Sequence, residues 1–403
     1  LRPINELNYT HMNRILQWPI AVLISVMSFT SMAQTVRIAD NNFNAPQGDN
    51  IFPTIQEAID AASPGDIIYI QPSPTKYGSG STDKQLIFKG VGFDLDKDIP
   101  HQSVITNLRL TNNNDNTSDA SGTEIEGLII DNIFLGISNG IDYVINDIII
   151  KNCRVNSGIR NASSTYAAVD NLLIYDCYIR GFIDFNNTVS NSEFRNNVML
   201  REITMGGSTL QHSFIITNNI FYSYLSKSSQ GDNVIIQHNV FVGTKGSGRA
   251  FISMRDAIIA NNIFYGSTPS TTAAGNSTST SFQRNIFTSN LSYETGNDAL
   301  PPAGGGVGNS GDDNIIGVTP AFANVPILNT FSFDHDFTLQ TGSAAINAAS
   351  DGSDIGISGG PYAWTSSNLQ LNTTGLPTIQ IFNTTSVISP GSDLSIRVKA
   401  KGN

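Results

Sequence analysis

Between residues 128 and 288, apolar and polar positions follow one short pattern that is written eight times. Three of its copies read Leu128-Ile-Ile-Asp-Asn-Ile-Phe134, Ile215-Ile-Thr-Asn-Asn-Ile-Phe221 and Ile258-Ile-Ala-Asn-Asn-Ile-Phe264. Aligned on the polar centre, the copies bring Asn132, Asn152, Asp176, Asn197, Asn219, Asn239, Asn262 and Asn285 to one position, about 22 residues apart. A constant period in this range marks a stacked-repeat architecture. Three residues earlier stand Ile129, Ile149, Leu173, Phe194, Ile216, Ile236, Ile259 and Phe282. One residue later stand Ile133, Cys153, Cys177, Val198, Ile220, Val240, Ile263 and Ile286. Both columns stay uncharged, so both are expected to face a continuous core.

The arms around the polar centre are too short for helices and are rich in β-branched and aromatic residues, which makes them strands. Asn tolerates left-handed backbone angles and bonds to nearby backbone, so it suits the corner between two strands. Strand, corner and strand at this period give an all-β fold, a right-handed parallel β-helix of about 22 residues per coil, with coils stacked at about 4.8 Å. The aromatic residues two after the corner (Phe134, Tyr178, Phe221, Phe241, Phe264 and Phe287) are expected to stack from coil to coil. Cys153 and Cys177 share one inward column in successive coils, close to disulfide reach, and two buried thiols are the expected state.

Upstream of the repeat, Pro53-Thr-Ile-Gln-Glu-Ala-Ile-Asp-Ala-Ala-Ser63 has its apolar residues at helical spacing. Thr54 with Glu57 has the form of a capping box, and Pro64-Gly65 stops the helix. Such a helix would cover the apolar opening of the first coil. Strands are expected near Ile67–Gln71, Gln85–Lys89 and Val104–Leu110. The segment from Phe331 to Ile357 is expected to return to coil form.

From Met12, a short basic start, an apolar run and Ser31-Met32-Ala33 before Gln34 read as a secretory signal peptide, with Trp18 to Met27 too short for a span. The organisation expected is therefore residues 1–34 as upstream residues and signal, 35–365 as the β-helix, and 366–403 as a C-terminal extension resembling the opening strands of a β-sandwich. The formal net charge of −11, with only 14% charged residues, argues against nucleic acid or an anionic membrane as partner, while leaving room for a local basic groove.

Thr54-Ile-Gln-Glu-Ala-Ile-Asp-Ala-Ala followed by Pro64-Gly-Asp-Ile-Ile-Tyr-Ile-Gln resembles the entry of pectate-lyase-like right-handed β-helix proteins. Leu86-Ile-Phe-Lys-Gly-Val-Gly-Phe-Asp and Gly122-Thr-Glu-Ile-Glu-Gly-Leu-Ile-Ile are similar to secreted Bacteroidetes-type members. Asp336-Phe-Thr-Leu-Gln-Thr-Gly-Ser-Ala-Ala-Ile-Asn and Asp354-Ile-Gly-Ile-Ser-Gly-Gly look like their closing coil. The resemblance implies a secreted monomer with polysaccharide as its partner. It does not imply a particular activity, because one scaffold hosts many functions.

Most catalytic motifs of the sugar-cleaving relatives are missing: the Asn-Thr-Asp and Gly-His-Gly of polygalacturonases, the Gln-Asp-Thr-Leu of pectinesterases and the Trp-Ile-Asp-His of pectate lyases. The one Asp-Asp pair, Asp312-Asp313, stands without the other two polygalacturonase motifs. In this family, substrate lies on the strand that follows the loop after the corner. There the sequence offers Arg160 and Asp184, each eight residues past its corner, as binding candidates, and Arg249 and Arg255 as catalytic candidates. A lyase would use Arg249 or Arg255 as base and Asp184 to hold Ca2+ on a uronate carboxylate. The plainer alternative is a surface ion pair with loose arginines. His238 varies freely among its equivalents (Lys151, Tyr175, Asn196, Asn218, Asn261, Arg284) and is expected at the surface, and His212 has no nameable partner. Two functions follow: a glycan-binding or scaffold β-helix without catalysis, or a polysaccharide lyase on a uronate polymer.

Overall fold

The computed structural model describes residues 34–46, 48–93, 101–112, 118–136, 143–161, 167–186, 188–206, 212–227, 233–245, 248–270, 282–296, 298–302, 308–327, 330–364, 378–384 and 396–401. The signal-like stretch from Met12 to Ala33 lies outside them. Residues Val36–Asn403 form one compact unit. It is all-β, a parallel β-solenoid of about 8 turns with a spacing of about 24 residues. Among the described residues no helix is long and apolar enough to cross a membrane.

Each turn has three faces. The first is a parallel sheet of 12 strands that includes Ala167–Tyr175, Val189–Arg195, His212–Thr217, Asn233–Gln237 and Ala257–Ala260. The second follows the corner, with Val198–Met199, Ile220–Phe221, Val240–Val242, Ile263–Tyr265 and Leu291–Tyr293 in register. The third carries Phe182–Phe185, Ile203–Met205, Leu225–Lys227, Gly248–Ile252 and Ser267–Ser270. In earlier turns Val104–Leu110, Ile129–Leu135 and Arg154–Asn161 run along both of these faces as single strands.

The helix is Ile55–Ala61, with Ile55, Ala58 and Ile59 buried. Thr54 caps it: its hydroxyl accepts from the Glu57 amide at 3.2 Å and donates to the Glu57 carboxylate at 3.0 Å. The helix sits directly on Tyr77–Thr82, where a Cβ at Gly80 would come within 2.8 Å of Ile59.

The corner is where the sequence register needs correction. The left-handed residue of successive turns is Gly127, Asn152, Asp176, Asn196, Asn218, His238, Asn261 and Ser289, with φ between 51° and 68°. The residue after it points inward. From the fourth of these turns on it is an asparagine, giving a buried column of Asn197, Asn219, Asn239, Asn262 and Asn290. Asn239 shows the bonding. Its Nδ2 donates to Ile216 O and Gln237 O at 2.8 Å and to Asn262 Oδ1 at 3.0 Å, and its Oδ1 accepts from the Asn219 backbone N at 2.9 Å. Each amide thereby satisfies backbone groups that a corner would otherwise strand in the core.

In the first turns Leu128, Cys153 and Cys177 occupy that inward position, so aligning on Asn152 and Asp176 shifts the pattern by one. Asn132 is a strand residue opposite Gly158, and Asn285 belongs to a second corner, following left-handed Arg284. Cys153 and Cys177 are buried free thiols, and burial pushes the Cys177 thiol well up.

The two apolar columns change accordingly. Phe194, Ile216, Ile236, Ile259 and Phe282 do lie in the main core. Ile149 and Leu173 instead lie half-buried on the outside of the first face. Phe221, Phe241 and Phe264 stack inside the solenoid at 4.8 and 5.3 Å between ring centroids, as the aromatic column predicts. Phe134 and Tyr178, by contrast, point outward. Val198, Ile220, Val240 and Ile263 also point outward, yet they are buried by a second apolar cluster.

What covers them is the C-terminal stretch. Instead of closing a coil, the described residues between Phe322 and Trp364 fold back over the outside of the second face. The antiparallel pair Phe322–Asn324 and Asp336–Leu339 starts this strap. Phe322 meets Tyr265 at 5.3 Å between ring centroids, and Phe331 meets Tyr222 and Tyr178 at 5.6 and 5.4 Å. Beyond it, corner side chains hold the strap's backbone. Asn261 Oδ1 accepts from Ser350 N at 2.8 Å, Asn218 Nδ2 donates to Gly359 O at 2.7 Å, and Asn196 Nδ2 donates to Tyr362 O at 2.8 Å. Gly356 and Gly360 have φ of 85° and 75°, and a Cβ on either would strike Ile263 or His238. In the C-terminal extension, Thr378–Thr384 and Ile396–Lys401 pair as two antiparallel strands.

His238 is therefore not a surface residue. It is 1% exposed beneath the strap, with Nε2 3.2 Å from Asp351 Oδ2 and 3.1 Å from Asn261 Nδ2. Burial lowers the His238 pKa despite Asp351, while Asp351, itself desolvated, is held low by hydrogen bonds from Ser353 and by His238. Asp351 of the strap is the charged group acting on the ring, and the backbone of Gly356 and Asp354 bonds to it. The folded protein thus favours neutral imidazole, whereas the unfolded chain protonates below about pH 6.5. Stability should hold above that pH and fall as the pH drops through it. Thermal melts between pH 7.5 and 5.5 should show this fall in wild type and a shallower one in His238→Asn. Equal slopes would contradict the buried neutral histidine.

Candidate functional site

The second face is occupied by the strap, so ligand must meet the solenoid elsewhere. The third face is open, and its early turns carry a ladder of arginine and phenylalanine. Arg109 pairs in register with Phe134, Phe134 with Arg160, and Arg160 with Asp184. The Arg109 guanidinium lies 4.4 Å from the Phe134 ring centre. Arg160 lies between two rings, 5.5 Å from Phe134 and 4.6 Å from Phe182. Contacts of this kind contribute about 0.5–2 kcal/mol and fix the long side chains in place. Gly158 makes the arrangement fit, because a Cβ there would lie 2.6 Å from Phe182 O and 3.4 Å from its ring.

A polar line runs beside the ladder. Arg160 Nη2 donates to Asn132 Oδ1 at 3.2 Å, Asn132 Nδ2 to Asn107 Oδ1 at 3.0 Å, and Asn107 Nδ2 to Ser79 Oγ at 2.9 Å. Arg160 Nε is buried and has no hydrogen-bond partner. Nearby, Arg154 Nε donates to Asn156 Oδ1 at 3.0 Å, and Asn156 Nδ2 donates to Asp131 Oδ1 at 2.9 Å. Asp131 also pairs with Lys76 at 2.8 Å. Burial, together with the neighbouring Arg180 charge, lowers the Arg154 pKa. Asp131 is thus already neutralised, and four arginines (109, 154, 160 and 180) give this patch the opposite sign to the net charge of −11. Aromatic faces, amide groups and guanidinium forks together suit sugar rings, hydroxyls and carboxylates.

The sequence placed Arg160 and Asp184 one turn apart, and they are register partners. Among the described residues they form no ion pair; Arg160 turns to Asn132 and the rings, and Asp184 Oδ2 accepts from Asn186 Nδ2 at 3.3 Å. Arg249 is on the same face but far off. The register runs from Asp184 through Thr204 and Ser226 to Ile252, three strands away, or about 14 Å at about 4.8 Å per strand. Arg255 lies beyond the end of that strand, bridging Gln283, with its carbonyl accepting from Lys227 Nζ at 2.9 Å. Asp184 is therefore not beside either arginine. It also lacks company for calcium, which takes six to eight oxygens, usually from several carboxylates. Among the described residues no three His, Cys, Asp or Glu side chains cluster as metal ligands. His212 lies in the strand His212–Thr217, opposite Val189.

Arg109, Phe134, Phe182 and Asn107 were missed as candidates by sequence reasoning. In the sequence Phe134 reads as one of the aromatics that stack from coil to coil, and Arg109 precedes the first aligned repeat. A signal was available: an aromatic and an arginine at matching places in neighbouring turns.

No family model matches the chain, and no curated protein matches it.

Proposed function

We propose that this protein is a secreted β-helix that binds a polysaccharide along the outer third face without cleaving it. The observation that carries the reading is the ladder of Arg109, Phe134, Arg160 and Phe182, a partly exposed cationic and aromatic track on a chain of net negative charge. Parallel strands repeat the same outward position at about 4.8 Å, which suits an extended polymer lying along the stack. The signal-like stretch before Gln34 and the resemblance to pectate-lyase-like proteins, including their Bacteroidetes-type members, support export and a glycan partner. A uronate lyase would need base and carboxylate-holding groups around one sugar. The separation of Asp184 from Arg249 and Arg255 leaves that reading without such a constellation among the described residues.

The test is affinity electrophoresis of the protein in gels containing pectate, alginate or neutral polysaccharides, alongside absorbance of unsaturated products with calcium present and then chelated. Retardation on a polymer without unsaturated product is expected, weakening as salt screens the arginines. Migration unaltered by every polymer would contradict the reading, as would calcium-dependent product formation.

A further inference from the structure

Further along the third face is a second feature that the ladder does not use. Tyr222, Tyr224, Gly248, Arg249, Ile252 and Ser267 line a cleft of about 290 Å³ at the edge between the second and third faces. Its walls are fixed. The Tyr222 hydroxyl is 2.8 Å from His335 Nδ1 on the strap, and its ring is only 4% exposed. Gly248 closes tightly against the preceding loop, where a Cβ would meet Gly243 at 3.0 Å. Arg249 is exposed at the rim and, among the described residues, makes no ion pair or side-chain hydrogen bond. Tyr224 is half-buried beside it and stands in the register column that descends from Phe182.

We propose that this cleft is a separate carbohydrate subsite that takes one acidic sugar unit, with Arg249 on its anionic group and Tyr224 against its ring. The volume is near the lower end of ordinary small-ligand pockets, enough for a single sugar rather than a chain. An unpaired guanidinium presents a fork that matches a carboxylate or a sulfate ester equally. On a protein of net charge −11, an anion is not drawn to the surface in general, so a local cation is needed to receive it. Ser267 and Ser223 add hydroxyls at the wall. The site lies three strands from Asp184 and does not depend on the ladder, although a chain resting on the ladder could end here.

The experiment is ligand-observed NMR titration of the whole protein with galacturonate, with glucose 6-sulfate and with neutral galactose. Saturable binding of at least one acidic sugar is expected, and galactose should bind at least tenfold more weakly. Arg249→Ala should weaken the acidic sugar at least tenfold, about 1.4 kcal/mol. Arg249→Lys should recover part of that loss, Tyr224→Ala should weaken it as well, and Lys89→Ala, which removes a cation paired with Glu126 on the first face, should leave it unchanged. Whichever of the two acidic sugars binds more tightly identifies the anion. Absence of saturable binding by both acidic sugars, equal binding of galactose, or Arg249→Ala binding like wild type would each overturn the proposal. Cleft binding in a protein that no polymer retards would remove the ladder reading and leave this one standing.

Discussion

Asn239→Leu should lose a large part of the protein's stability, although it exchanges one buried side chain for another of similar size. The amide joins five groups: it donates to Ile216 O, Gln237 O and Asn262 Oδ1 and accepts from the Asn219 backbone and side-chain nitrogens. Leucine satisfies none of them. Two buried groups left bare at about 1–3 kcal/mol each give a loss of about 2–6 kcal/mol. That is a large part of the about 5–15 kcal/mol that keeps a typical domain folded. The loss should also spread, because Asn219 and Asn262 take their partners from the same column. Asn107→Ala, on the surface, should cost less than about 1 kcal/mol. Urea or thermal unfolding of both variants checks the contrast. An Asn239→Leu protein as stable as wild type would mean that the column is not a hydrogen-bonded support.

The second large effect separates the two apolar clusters. Ile220 and Phe221 are neighbours, each at most 1% exposed, but Phe221 faces the lumen and Ile220 faces the strap. A carboxylate at either site is buried without a partner, at a cost of several kcal/mol. The responses should differ. The solenoid has no alternative to collapse around Phe221→Asp, which should yield no folded protein. With Ile220→Asp the strap can lift, letting water reach the charge while the turns remain stacked. Trp364 reports on this, because its indole nitrogen donates to Asn218 O at 2.7 Å. Ile220→Asp should stay soluble and β-rich, with Trp364 emission shifted to the red and proteolysis in 343–364. Complete unfolding of Ile220→Asp, or unchanged Trp364 emission, would contradict the strap's position.

The fold was legible because its core demands repetition. Ile216, Ile236 and Ile259 recur at one height in successive turns, and the strands they belong to pair in register. The capped helix at Thr54 was legible for a different reason, since its cap and apolar spacing are both local. What misled was a degenerate letter. Asparagine serves as the left-handed corner at Asn152 and Asn218, as the inward ladder at Asn219 and Asn239, and as an outer-face residue at Asn132. Sequence spacing alone does not separate those roles, and one misplaced step moves a residue from core to surface.

The strap was illegible because its partners lie far off in sequence: Asn196 to Tyr362 spans 166 residues. An apolar residue under a strap reads the same as one in a lumen, as Ile220 and Ile263 show. The candidate site was half legible. Arg160 and Asp184 were located by counting from the corner, an argument that survives a shift of register because both shifted together. The rings that flank Arg160 were hidden among aromatics that elsewhere stack inside.

The most direct measurement of the central claim is calorimetric titration of the retained polysaccharide into wild type, Arg160→Ala, Phe182→Ala and Lys245→Ala. Lys245 is an exposed cation already paired with Glu294 at 3.1 Å and lies off the ladder. Binding along the ladder predicts affinity reduced at least tenfold, about 1.4 kcal/mol, in Arg160→Ala and Phe182→Ala, with Lys245→Ala like wild type and all four proteins equally folded. Undiminished affinity in both ladder variants would contradict it.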